Sequence, residues 1–147
     1  MRTEEQRGGL EIVYTIFCDD VRLEVGNKLS LMGVFHQIVV QQFPVSVMKF
    51  AVVSQWRGEG THLSEVRILT ADRQQPVVLA EPSPFQISPG GVANTISFFF
   101  NVMFPAAGEY RVQTLVDSTL FDEQTLTVVG YEPPAPSVAD TSSEAVN

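Results

Sequence analysis

The sequence predicts an all-β domain, an immunoglobulin-like sandwich of two antiparallel sheets with about eight or nine strands. Three observations carry this expectation. Apolar residues alternate with a period of two over most of Leu10 to Val129, the spacing of an extended strand with one dry and one wet face. Glycine- and proline-rich breaks recur at intervals of about ten residues, the rhythm of short strands joined by turns. No window sustains a helical period over three turns.

Each element follows in order. Ile12, Tyr14, Ile16 and Cys18 share one side of a first strand, with Glu11 and Thr15 on the other; Val13 and Phe17 break the alternation. Asp19 to Phe35, reading D-D-V-R-L-E-V-G-N-K-L-S-L-M-G-V-F, is a hairpin. With Val25, Gly26 and Asn27 as its loop, Glu24 faces Lys28, Leu23 faces Leu29 and Val21 faces Leu31, so like meets like and opposite charges oppose. A Gly-Asn loop alone would set Glu24 against Leu29 and Arg22 against Leu31, so Asn27 is expected in the left-handed conformation. His36 to Val40 continues the second arm past a bend, and Phe43-Pro44 ends it.

From Val47 to Trp56, Met48, Phe50, Val52 and Trp56 are expected inward, with Lys49 and Gln55 alternating. The stretch R-G-E-G-T-H, Arg57 to His62, is expected to close this strand as a loop. Leu63 to Thr70 sets Val66 and Ile68 against Glu65 and Arg67, and A-D-R-Q-Q-P turns into a short strand from Val77 to Ala80. Glu81 to Gly91 holds three prolines and two glycines, which predicts a structured loop or a sheet edge. In Thr95 to Phe104, Ile96, Phe98, Phe100, Val102 and Phe104 form one face, and Ser97, Phe99, Asn101 and Met103 the other. After the turn P-A-A-G-E-Y, residues Tyr110, Val112, Thr114 and Val116 point inward against Arg111, Gln113 and Asp117. D-S-T-L-F-D-E-Q opens a last hairpin arm that ends on Leu126 and Val128 facing inward. The domain therefore spans residues 10–130. Residues 1–9 read as a flexible start, and 131–147, with three of the nine prolines, as a disordered tail.

A chain of 147 residues suits one domain that buries roughly two-thirds of its unfolded surface. Its net charge of −8 comes from 17 acidic and 9 basic residues, and the basic ones are scattered from Arg2 to Arg111. A phosphate backbone or an anionic membrane is repelled by such a surface, so neither nucleic acid nor membrane is an expected partner. The lone Cys18 lies in an apolar run and packs as a small hydrophobe, which suits a reducing compartment. Ile12 to Phe17 is too short for a signal-peptide core, and nothing approaches the run of about 20 apolar residues that spans a bilayer. The expectation is a cytoplasmic protein.

The segment F-C-D-D-V-R-L-E-V-G-N-K-L-S-L-M-G-V-F, Phe17 to Phe35, resembles the opening signature of a bacterial family of small all-β proteins whose function is uncharacterised. Phe43-Pro44 and the P-x-x-G-x-Y of Pro105 to Tyr110 continue that pattern, so the likeness spans Leu10 to Val129. The resemblance implies a compact single-domain sandwich and supplies no catalytic or binding residues.

Asp19, Asp20 and Glu24 are the densest acidic group, and hard cations take such oxygen ligands. Asp19 and Asp20 point to opposite sides of a strand, however, Glu24 faces Lys28, and no repeated D-x-D loop is present. No metal site is expected; Asp20 is expected to hydrogen-bond a loop backbone. His36 and His62 lack a ligand partner at metal spacing and are expected in solvent. Cys18 has no sequence cue for a histidine base, Gly90-Gly91 opens no phosphate cradle, and Glu59, Asp122 and Glu123 read as turn residues. No catalytic residue and no cofactor are expected. Trp56 beside Arg57 has the composition of a binding hot spot, but its inward phase assigns it to the core.

The remaining signal is apolar content where the alternation predicts solvent: Phe17, Phe99, Met103, Leu115 and Val129. Phe99, Met103 and Leu115 are the candidate protein interface; the alternative is that the Pro82–Pro89 stretch and the chain ends cover them. The functional expectation is a non-enzymatic module that docks a bacterial protein partner or forms a homodimer. Two alternatives are a small-ligand or metal-dependent enzyme with its site near Asp20, His36 and Glu59, and a structural subunit of a phage-like or secretion assembly.

Overall fold

The computed structural model describes residues 9–131; the expectations of a flexible start and a disordered tail fall on 1–8 and 132–147, outside the described residues. Strands β1 (Glu11–Glu24) and β2 (Lys28–Phe35) form the expected hairpin. Glu24 opposes Lys28, Leu23 opposes Leu29 and Val21 opposes Leu31, and Asn27 has a φ of 59°. The Glu24 carboxylate accepts a hydrogen bond from Ser30 Oγ at 2.6 Å. After β2, the short β3 (Gln37–Val40) crosses to the far side of the molecule. There it pairs in parallel with β8 (Thr119–Gly130), the one departure from an antiparallel arrangement among the described residues. The Phe43-Pro44 peptide that follows is cis.

Strand β4 runs unbroken from Val45 to Thr70, so R-G-E-G-T-H is not the expected loop. Gly58 and Gly60, with φ of +144° and +99°, absorb a bulge there, and the register against β6 (Ser83–Phe104) shifts between them. A side chain at Gly58 would lie 3.1 Å from the Gly9 carbonyl and from Leu10. These glycines bend a strand where turn glycines would end one. The proline-rich stretch follows the same path as an edge: Ser83 to Ile87 pairs with Ser64 to Gly60.

Before the bend, β4 lies between β1 and the second half of β6; after it, β4 meets β7 (Gly108–Val116) on one side. On its other side lie β5 (Pro76–Leu79) and the start of β6. The path of neighbours is β2-β1-β4-β7-β8-β3. One hydrogen-bonded sheet thus folds over itself into two layers, an all-β, sandwich-like fold with no helix among the described residues.

The space between the layers is filled by Phe17, Phe50, Val52, Phe99 and Phe104 from the first layer, packed against Ile68, Val112, Leu126 and Val128 from the second. Each such side chain contributes about 1.5–3 kcal/mol on burial. At the bend, Trp56 is fully buried, stacked on Phe85 at 5.7 Å and edge-on to Phe121 at 5.3 Å. Its indole N–H donates to Thr95 Oγ1 at 2.9 Å, so the core assignment holds. Tyr110 closes the P-x-x-G-x-Y turn by donating its hydroxyl to the Ala106 carbonyl at 2.6 Å.

Several side chains face the other way from the strict alternation. Phe17 and Phe99 belong to the core, with the Phe99 ring 5.3 Å from that of Phe50. Met48, expected inside, is 78% exposed, and Phe98 and Phe100 are exposed as well. In β1 a bulge between Ile12 and Tyr14 leaves Ile12 beside Trp56, sends Tyr14 and Cys18 to the opposite side and so turns Phe17 inward. For the residues around Phe99 the cause is Asn101. Its φ of +54° turns the strand so that the inside–outside phase slips by one place, while the pairing Val47 to Val102 and Lys49 to Phe100 runs on in one register. Gly33, with a φ of +66°, does the same in β2. Phe17 and Phe35 face the main core, whereas Val21 and Leu31 pack on the opposite side with Cys18. Leu115, also expected outside, is 5% exposed, beside a register shift between Thr114 and Leu115. Of the three predicted interface residues, Met103 alone is exposed, at 53%.

Candidate functional site

The first layer is apolar on both faces. On the face turned away from the main core, Cys18, Ala51 and Val53 are fully buried beneath the larger Tyr14, Val21, Leu29, Leu31 and Ile96 around them. Small residues at the centre of a twisted sheet are shielded by long neighbours on flanking strands. Burial, and then the charges of Asp19 and Asp20, push the Cys18 thiol up, so it stays protonated as an inert packing group.

Beside this cluster, Phe98 and Phe100 stack at 6.3 Å while remaining 41% and 62% exposed. The Lys49 ammonium lies 5.1 Å above the Phe98 ring and bonds Asp20 Oδ1 at 2.9 Å, a cation–π contact joined to an ion pair. The proline-rich stretch does not cover these rings, because it is paired to β4 beyond the bend. From Val92 to Phe104, β6 pairs with β4 only, so its other edge is unpaired among the described residues. That segment contains no charged residue, no proline and no glycine, the devices that ordinarily protect an edge strand.

A groove of about 350 Å³ opens on the opposite flank of β4, lined by Asp19, Gly33, Phe35, Val47, Lys49 and Phe50 among others. It exists because β1 leaves β4 after the Cys18–Ala51 pair. The Cys18-Asp19-Asp20 triplet is thereby divided among three tasks. Cys18 packs on the outer face, Asp19 lies over Gly33 at the groove, and Asp20 holds Lys49. The Asp20 carboxylate bonds the Val21 N–H within its own strand at 2.9 Å, where a loop partner was expected. Lys49, followed by that N–H, holds Asp20 below the usual carboxylate range.

His62 is not the solvated side chain that the sequence suggests. Its Nδ1 is 2.7 Å from Asp117 Oδ2, and Nε2 is 2.8 Å from the Glu59 carbonyl. The ring lies 5.6 Å from that of Phe85. Asp117 also accepts the Leu63 N–H at 2.9 Å, which ties the tip of the β7–β8 hairpin to β4. Both ring nitrogens are engaged, and with two acceptors the imidazolium is the matched form. Burial opposes that charge; the bond to Asp117, the Glu59 carbonyl and the Asp117 charge outweigh it and raise the His62 pKa. His36 is exposed, whereas Asp20 bonds Lys49 and the Glu59 carbonyl meets His62. Asp122 and Glu123 lie within β8, not in a turn. Glu123 bonds Arg73 and Gln113, which hold its carboxyl at about 2. Among the described residues, no group of three or more His, Cys, Asp or Glu could hold a metal ion, and no helix is long and apolar enough to cross a membrane.

Sequence reasoning missed Phe98 and Phe100 because it placed them inside. The F-F-F-N run puts phenylalanine on both faces of the strand, and nothing in the sequence says which face is outside.

Residues 13–129 match the model of a family of unknown function, DUF6941. The chain belongs to this family. The DUF6941 match covers all eight strands but for the first residues of β1 and the last of β8. No curated protein matches the chain. Among solved structures, it is similar to the Pseudomonas fluorescens alkylpurine DNA glycosylase AlkC bound to DNA containing an abasic site analog. The TM-score is 0.53 at 7% identity, over 82% of this chain and 30% of that one. It is also similar to the Listeria innocua beta-glucosidase in complex with glucose, with a TM-score of 0.50 at 13% identity over 84% of this chain and 16% of that one. The DUF6941 chain therefore spans less than a third of the length of these structures, and the likeness is one of fold.

Proposed function

We propose that this domain is a non-enzymatic protein-binding module of the cytoplasm, which docks its partner on the outer face of the first layer and along the free edge of β6. The observation that carries this reading is the uncharged Val92–Phe104 edge, with Phe98 and Phe100 stacked and exposed beside it. An added strand supplies the missing backbone hydrogen bonds, and the two rings supply side-chain anchors. The same edge left bare would template aggregation. Acidity weighs against nucleic acid as the partner, because the chain carries a net charge of −8 and Lys49 is already paired with Asp20. The buried lone thiol suits a reducing compartment.

Site-specific photo-crosslinking in cells tests the reading. A photoreactive phenylalanine analogue at Phe100 is expected to trap a protein, and the same analogue at the exposed Thr125 on the second layer is expected to trap none. Equal labelling at the two positions, or none at either, removes the docking face.

A further inference from the structure

We infer that the strand which completes the β6 edge is that of a second copy of this chain, paired antiparallel to its own β6 about a two-fold axis at Ile96. This rests on the docking reading above and names its partner. Two identical strands meeting antiparallel must be self-complementary about the axis, and residues directly opposed in an antiparallel ladder share one face of the sheet. The regular part of the free edge begins after Gly91 and ends where Asn101 turns left-handed. The run from Val92 to Phe100 therefore has Ile96 at its centre. Pairing about that centre sets Ile96 against itself, Asn94 against Phe98 and Val92 against Phe100 on the outer face. On the inner face it sets Thr95 against Ser97 and the small Ala93 against the large Phe99. No apolar residue meets a charge.

Charge permits that occupant at this edge. Two chains of net charge −8 repel each other over most of their surfaces, and Val92–Phe104 is a stretch with no charged residue at all. Beside it, Lys49 is neutralised by Asp20. The chain's own C-terminal segment fits less well. It departs from Tyr131, whose N–H bonds the Val40 carbonyl at the β3 edge, and Pro133, Pro134 and Pro136 bring no N–H to a ladder.

Ile96→Cys and Val92→Cys test the register, with the fully buried Cys18 as a silent background. Under mild oxidation, Ile96→Cys is expected to form a disulfide-linked dimer at least about tenfold faster than Val92→Cys, since only a residue on the axis meets its own copy within disulfide reach. Light scattering of the full chain is expected to give a dimer, and Ile96→Lys a folded monomer with unchanged far-ultraviolet circular dichroism. A monomer at all concentrations, or equal cross-linking at 92 and 96, overturns the inference. So does a monomer that dimerises only after residues 1–8 or 132–147 are deleted, which would assign the edge to the chain's own end. The photo-crosslink at Phe100 separates the two proposals. A product of another mass from a monomeric chain refutes self-pairing and leaves the docking face standing, whereas no product removes both.

Discussion

Replacing Gly33 by alanine probes the device that turns the first hairpin's apolar residues from one side of the sheet to the other. Gly33 has a φ of +66°, and an L-residue held there loses about 1–2 kcal/mol to the contact of its Cβ with the backbone. The new methyl would also collide with Asp19 Oδ2 and lie 2.7 Å from its Cγ and 3.1 Å from its Cβ. The carboxylate is exposed and swings away; the Asp19 Cβ is part of β1 and moves only with the strand, which adds about 1 kcal/mol of overpacking. Gly33→Ala is therefore expected to destabilise the domain by about 2–3 kcal/mol. Asp19→Gly removes the obstruction and leaves the backbone term, so the double variant is expected to recover about 1 kcal/mol relative to the sum of the single changes. Urea unfolding of the wild type, both single variants and the double variant measures all four corners. A Gly33→Ala unfolding free energy within about 0.5 kcal/mol of wild type, or no coupling to Asp19, refutes the reasoning.

Trp56→Ala is expected to cost about 3–5 kcal/mol. Trp56→Phe, which keeps most of the packing on Phe85 and Phe121 but leaves the Thr95 hydroxyl without its donor, should cost about 1–2 kcal/mol; thermal melts that rank the two in reverse order would contradict the placement at the bend. Stability should also depend on pH through His62 and Asp117. The His62 pKa is raised on folding, so its contribution is complete below the ordinary histidine value and lost as pH rises through the folded one. The Asp117 pKa is lowered, as the His62 and Leu63 bonds outweigh burial. Its contribution is complete above the ordinary aspartate value and lost as pH falls through the folded one. Urea midpoints across pH should fall on both flanks; Asp117→Asn should flatten the alkaline flank and only lessen the acid one, where Glu123 also titrates, and a flat wild-type alkaline flank would remove the charged pair.

The parts of the molecule that the sequence disclosed are those where side-chain identity alone selects one pairing. Glu24 opposite Lys28 and Leu23 opposite Leu29 admit one loop, and Asn27 is left-handed as that loop demands. The inward phase of Val66, Ile68, Val112, Leu126 and Val128 was equally legible, because regular strands carry it. The facing of Phe17, Phe99 and Met48 was not. A bulge between Ile12 and Tyr14 reverses the first and Asn101 at positive φ the other two, and alternation counted along the chain carries no record of either reversal. Arg57 to His62 misled for a related reason, since glycine marks bulges as well as turns. The pairing of His62 with Asp117 links positions 55 residues apart, which only the folded hairpin brings together. Phe98 and Phe100 were visible as residues but were placed on the wrong face.

The uninterrupted course of β4 from Val45 to Thr70 has a mechanical consequence. Because the same strand hydrogen-bonds to β1 in one half and to β7 in the other, neither half of the molecule has a seam along which to detach. Fraying that begins at Thr70 loosens the lattice that also anchors Phe50, and cutting the chain at the glycine bend leaves two fragments, each with a raw edge. Amide exchange over β1, β4 and β7 should accordingly collapse into one cooperative opening unit, reached slowly from the unfolded state because so many of its contacts join distant stretches of chain.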